Sequence, residues 1–243
     1  MRREFARWYS PRLNKDMDIV VYGHYGVPLL MFPTAGADFL EYERFLMIDA
    51  IRPYIDAGRI KAYSINSINN ESWLNNYMSG RAKSVRHEQY NGYVTEEVVP
   101  FIYNDCGSRV PIITTGASLG ALHAANTFFR RPDLFRGTIA MSGSYDLHDY
   151  TKGYSDDLTY FNSPVHYMQN WHDGYIWNLQ AHCMGIILAT GQGSYEKPSA
   201  TADMSRVLYS RSIPHWADYW GHDMPHDWPT WRAMLPYFLG HMV

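Results

Sequence analysis

Between Val110 and Arg131 the chain reads VPIITTGASLGALHAANTFFRR, and no other stretch restricts the fold as much. Val110, Ile112, Ile113, Thr114 and Thr115 are β-branched and suit a buried strand. Gly116-Ala117-Ser118-Leu119-Gly120 then matches G-x-S-x-G. Beyond it, Ala121, Leu122, Ala124 and Ala125 favour a helix, Arg130 and Arg131 complement its C-terminal dipole, and Pro132 stops it. A strand that turns sharply into a helix at a serine lifts the hydroxyl clear of a sheet, where it can act as a nucleophile. Gly116 and Gly120 carry no Cβ, which lets neighbouring backbone close in. A helix starting beside the serine turns its unpaired N–H groups toward the place where negative charge develops. The N–H of Leu119 is therefore expected to be one oxyanion donor.

The rest of the chain alternates strand and helix patterns. Strands are expected at Met17–Gly23, Leu29–Phe32, Arg59–Ile68, Gly137–Gly143 and Gly185–Thr190, with an edge strand at Pro214–Trp220. Helices are expected over Glu43–Ala57, bent or divided at Pro53, and over Ser84–Cys106, kinked at Pro100. Two more follow at Thr201–Arg211 and Trp231–Gly240. This alternation implies an α/β fold: a mostly parallel, doubly wound sheet with helices on both faces, in one domain spanning residues 1–243. Ser144–Asn178, rich in Tyr, Asp, His and Trp, breaks the rhythm. It reads as a loop or cap inserted over the active edge of the sheet.

A serine nucleophile needs a general base, and the base needs an acid to fix its tautomer. On such a sheet they follow in chain order, on loops beyond later strands. The loop Gly221–Pro229 holds two histidines. His226, just before the last helix, is the expected base, and His222 reads as structural. Their H-x-x-x-H spacing argues against a metal pair, because Pro225 interrupts any helix between them and no Glu stands beside His222. No metal or organic cofactor is expected. For the acid, Glu196 on the loop Gly191–Pro198 is preferred. Its rivals are Asp203, inside the following helix, and Asp146, after the strand next to the elbow.

The chain resembles the esterase family that includes esterase D (S-formylglutathione hydrolase), feruloyl and acetylxylan esterases, and the mycolyltransferases. The resemblance is carried by GASLG, by Pro132-Asp133-Leu134-Phe135, by SGSYD at Ser142–Asp146 and by HDWPTWRAMLPYFL at His226–Leu239, and it runs from about residue 17 onward. It implies an α/β-hydrolase fold acting on carboxylic esters. It also implies that the base is His226, which directly precedes the Asp-Trp pair. The mycolyltransferase branch takes a Glu from a Gly-rich loop like GQGSYE, which supports Glu196; other branches use an Asp where Ser194 stands here. The His-Gly or Asp-Gly of the relatives' oxyanion loop is replaced by Pro33-Thr34-Ala35-Gly36. A backbone N–H needs no particular side chain, so Ala35 is the expected second donor.

Composition narrows the function further. A net charge of −3 gives no electrostatic case for nucleic acid or an anionic membrane. Two cysteines, Cys106 and Cys183, make no disulfide framework. Met1-Arg2-Arg3-Glu4 is not followed by an apolar signal core, and no apolar run reaches membrane-spanning length, so a cytoplasmic protein is expected. Aromatic residues reach 16%, enough to furnish both a core and a cleft that holds a sugar or aryl ester. The sequence thus reads as a serine carboxylic-ester hydrolase acting on a small-molecule ester through an acyl-enzyme. Acyl transfer to a sugar or alcohol, and a non-catalytic carbohydrate-binding hydrolase fold, are the alternatives. Nothing in it sets the oligomeric state.

Overall fold

The apolar and β-branched runs form eight strands: β1 (Arg3–Ser10), β2 (Lys15–Tyr22), β3 (Val27–Phe32), β4 (Ile60–Ile65), β5 (Ile112–Ala117), β6 (Phe135–Met141), β7 (Gly185–Thr190) and β8 (Trp216–Tyr219). The computed structural model describes residues 1–171 and 174–243, apart from the side chain of His182. The strands make one sheet in the order β1-β2-β4-β3-β5-β6-β7-β8. The β1–β2 and β2–β4 pairs are antiparallel, and all later pairs are parallel. The loops after β3 to β8 therefore all open at one edge of the sheet, which is where a doubly wound fold places its chemistry.

Alternating residues of each strand feed two separate cores. Leu30 and Phe32 pack with Ala121, Ala125 and Phe128 of the helix Leu119–Arg130 on one face. Leu29 and Met31 pack with Trp231, Leu235 and Phe238 of the helix Trp228–Met242 on the other. All four of these strand residues are 0% exposed. Each contributes about 1.5–3 kcal/mol relative to exposure in water.

The structure departs from the sequence expectations at the margins. β1 was not foreseen; its residues alternate between exposed and half-buried, and it pairs only with β2 at the sheet's edge. The expected helix over Glu43–Ala57 is three short pieces, Glu41–Arg44, Met47–Ala50 and Arg52–Asp56. Leu46, at φ 59°, breaks the first from the second, and the division expected at Pro53 is present, with Pro53 in the first turn of the third. The expected helix over Ser84–Cys106 begins earlier, at Gly80, where the Ser79 hydroxyl accepts from the Ala82 N–H. It passes through a π-helical stretch, Val94–Val98, into Val99–Cys106. Pro100 lies in the first turn of that last piece, where a missing N–H is tolerated. The segment after β6 contains the short helices His148–Thr151, Asp157–Tyr160 and Pro164–Asn170, and Gly174–His182 runs past its expected end. His172 and Asp173, inside the expected 144–178 insertion, lie outside the described residues. Among the described residues no helix is long and apolar enough to cross a membrane.

Candidate active site

β5 delivers Ser118 onto a tight corner. Ser118 has φ 55° and ψ −122°, a conformation that side-chain-bearing residues seldom adopt and that costs about 1–3 kcal/mol. The neighbours hold it there. A Cβ on Gly116 would lie 2.1 Å from the Gly120 carbonyl oxygen, and one on Gly120 would lie 2.4 Å from that of Phe32. The two glycines are thus required by contact between backbones, and the corner is pressed against the end of β3. The Ser118 N–H donates to the Met141 carbonyl at 3.0 Å. From Ile112 to Phe129, Ser118 is the one residue that is not buried. Leu119 opens the following helix, so its N–H has no partner within that helix.

Two loops bring the other candidates alongside. The His226 Nδ1 lies 3.3 Å from Glu196 Oε2. The Glu196 side chain is 1% exposed and that of His226 is 25% exposed. Glu196 also accepts from the hydroxyl of Ser142 at 2.6 Å, from that of Thr190 at 3.1 Å and from the Gly191 N–H at 3.3 Å. Burial alone would raise its pKa. The hydrogen bonds from His226, Ser142 and Thr190, with the nearby imidazole, outweigh burial and hold the carboxyl below its ordinary value. The loops are fastened to each other by backbone: the Gly193 N–H donates to Met224 O at 3.0 Å and the His226 N–H to Ser194 O at 2.9 Å. A Cβ on Gly191 would lie 2.1 Å from Met224 O, so this lacing admits only glycine.

Ser118 and His226 line one cleft of about 120 Å³ with Ser142, Gly143, Ser144, Tyr150, Tyr195 and Lys197. The Ser118 hydroxyl makes no hydrogen bond among the described residues. In unliganded sites such bonds are often long and tighten only with substrate.

Residues 55–242 match the model of the family described as "Putative esterase". The chain belongs to this esterase family. The structure superimposes on a ferulic acid esterase at TM-score 0.76, with 17% identity, covering 100% of this chain and 99% of the other. An S-formylglutathione hydrolase from Agrobacterium tumefaciens superimposes at TM-score 0.74, with 12% identity and coverage of 99% and 95%. A fluorophosphonate-binding serine hydrolase of Staphylococcus aureus does so at TM-score 0.69, with 12% identity and coverage of 99% and 98%. No curated protein sequence matches the chain. With the strand order above, these neighbours identify the fold as that of the α/β-hydrolases, and the family makes the chain a carboxylic-ester hydrolase.

Of the sequence candidates for the acid, the esterase places only Glu196 against His226. Asp203 lies on the exposed face of the helix Pro198–Ser210, paired with Arg206 at 2.9 Å, and Asp146 accepts from the His148 N–H at 2.9 Å. His222 is exposed. Two residues near the acid had no role assigned from sequence. Ser142, at φ 53°, donates to Glu196 and accepts from the indole N–H of Trp231 at 3.0 Å. The Trp231 ring also meets the His226 ring edge-on at 5.1 Å. Both residues lie inside the stretches SGSYD and HDWPTWR, so motif position was the signal available.

On the oxyanion side, the Thr34 N–H donates to Glu41 at 2.8 Å and the Thr34 hydroxyl bonds the same carboxylate. Thr34 therefore has no N–H to spare. The N–H of Ala35 has no partner among the described residues. The far side of the cleft is anchored. Lys83, 3% exposed, donates from Nζ to the carbonyls of Trp73 at 3.0 Å and Tyr150 at 2.9 Å. Arg81 pairs with Asp156 at 2.9 Å. The helix carrying Tyr150 is thereby tied to the helix Gly80–Tyr93.

Proposed function

We propose that the esterase works through an acyl-enzyme on Ser118, with His226 as general base and Glu196 as the group that orients it. The observation carrying this reading is the Glu196–His226 contact beside the cleft that Ser118 also lines. His226 Nε2 takes the Ser118 proton as Oγ attacks the ester carbonyl carbon. The carbonyl π electrons move to oxygen, and the Leu119 and Ala35 N–H groups hold that oxyanion. As the tetrahedral centre collapses, the C–O bond to the alcohol breaks and imidazolium gives its proton to the leaving oxygen. Water, deprotonated by His226, then attacks the acyl-enzyme and releases the acid, and Ser118 recovers its proton. Glu196 stays ionised throughout, because its hydrogen bonds hold the proton off.

The cleft volume favours a short acyl group. At about 120 Å³ the cleft has room for a formyl or acetyl group beside Ser118. The alcohol side meets Tyr195, which is 94% exposed and offers a flat face to a sugar or aryl group. We read the chain as one catalytic domain in which the segment around Tyr150 supplies one wall of the cleft, held through the Tyr150 carbonyl by Lys83. The test is turnover of p-nitrophenyl acetate by wild type and Ser118→Ala, with fluorophosphonate labelling. Labelling at Ser118 and loss of turnover in the variant are expected. Undiminished turnover by a clean Ser118→Ala preparation would remove the serine from the mechanism.

A further inference from the structure

The loop carrying the Ala35 N–H and the helix carrying the Leu119 N–H belong to different parts of the chain, and one buried side chain joins them. Asn69 is 2% exposed and opens the short helical turn Asn69–Glu71 after β4. Its Nδ2 donates to the Thr34 carbonyl at 3.3 Å. Its Oδ1 lies 2.8 Å from Nε2 of His123, which is on the helix that begins at Leu119.

The chemistry leaves one assignment for this network. A carbonyl can only accept, so the amide nitrogen of Asn69 must face Thr34, and Oδ1 must face His123. His123 must then carry its proton on Nε2. The ring is 2% exposed, and burial pushes its pKa down to about 3, so it is a neutral, fixed donor at working pH.

The Thr34 carbonyl and the Ala35 N–H are the two ends of one peptide unit. No cis bond occurs among the described residues, so that unit is trans and the two groups point in opposite directions. Whatever aims the carbonyl aims the N–H. We propose that Asn69 is a positioning residue for the oxyanion hole, fixing the Thr34–Ala35 peptide so that the Ala35 N–H faces the substrate carbonyl. This rests on the proposed acyl-enzyme mechanism and names a further part of it.

Two further observations support a directional role. A fully buried amide is costly where packing alone is needed, and an apolar side chain would fill the space without that cost. The loop's other braces act elsewhere: Glu41 holds the Thr34 N–H and hydroxyl, and the Ser67 hydroxyl donates to Ala37 O at 2.7 Å. Apart from the loop's own turn, in which the Ala37 N–H donates to Thr34 O at 3.4 Å, the Asn69 amide is the one side-chain group among the described residues that reaches the oxygen sharing a peptide plane with the Ala35 N–H.

The experiment compares Asn69→Ala, Asn69→Asp and Ser67→Ala with wild type on p-nitrophenyl acetate. Active sites are counted by fluorophosphonate labelling run to completion, and phenylboronic acid serves as the probe of tetrahedral binding. Asp can accept from His123 but offers Thr34 no N–H. Both Asn69 variants should lose about 10- to 100-fold in kcat, less than outright deletion of a donor, with KM within about twofold. Affinity for the boronic acid should fall by a similar factor. Ser67→Ala should lose less than about threefold. If neither Asn69 variant folds, His123→Phe, which frees the amide to rotate, should give the same pattern with a smaller loss. Unchanged kcat in a folded Asn69 variant, or a loss carried by KM with boronic acid affinity retained, overturns the proposal. If instead Ser118→Ala stays active, the acyl-enzyme reading itself has failed; an inactive Ser118→Ala beside an unaffected Asn69→Ala sinks the Asn69 assignment alone.

Discussion

Three histidines of the esterase sit in two opposite environments. His226 is a quarter exposed and touches an ionised carboxylate. His123 and His87 are each 2% exposed and stack on one another at 4.9 Å, among Trp73, Tyr90 and Phe32. Burial drives both of their pKa values down, with no carboxylate alongside to oppose it. The same imidazole thus stands open beside an anion in one place and is a buried, neutral strut in the other. Solvent access and a paired anion decide which.

The most severe way to break this contrast is to remove what His226 acts upon. Ser118→Ala should lower kcat/KM for p-nitrophenyl acetate by about 10⁴-fold or more. Glu196→Gln comes next: it keeps the shape of the pair but removes the anion proposed to set the His226 tautomer. A loss of about 10³- to 10⁴-fold in kcat is expected, with folding intact by circular dichroism. A loss under tenfold would mean that Glu196 does not orient the base. Ser142→Ala deletes one hydrogen bond to that carboxylate and strands the Trp231 N–H, so about tenfold in kcat is expected.

The smallest effect sharpens the buried side. His87 and His123 bind protons in the unfolded chain below about pH 6.5 but resist them in the fold. A folded-state pKa below the unfolded value means that stability is full above about pH 6.5 and declines as pH falls below it. The slope is about 1.4 kcal/mol per pH unit for each histidine. Urea unfolding at pH 7.5 and pH 5.5 measures this difference. His87→Phe should roughly halve it, because the His87 Nδ1 has no hydrogen-bond partner to lose. An undiminished difference in that variant would assign the acid sensitivity to other groups.

The parts of this site that were legible in the sequence are those where a residue type answers to a steric or chemical demand of its own neighbours. Gly116 and Gly120 could be read because only glycine lets the elbow close, and the strands because both faces of the sheet are buried. His226 could be read from its place before the last helix. The choice among Glu196, Asp203 and Asp146 needed the fold, since each is a plausible loop or helix carboxylate until distances are known. Ser142 reaches Glu196 across 54 residues of sequence and Trp231 reaches Ser142 across 89, far beyond any local pattern. Asn69 lay within what read as a polar, Trp-bearing loop. Its burial comes entirely from tertiary packing. The broken segment after Glu41 was misread because Leu46 adopts a left-handed conformation that apolar periodicity does not announce.

The carbonyl of Met224, seated where a side chain on Gly191 or Gly193 would have to go, has a bearing on how this enzyme can be retargeted. It welds the Glu196 loop to the His226 loop, so a library randomised there would return mostly dead clones and the original glycines. Altered preference for acid or alcohol must be sought across the cleft, around Ser144, Tyr150 and Tyr195, where a change of shape leaves the proton-handling groups undisturbed.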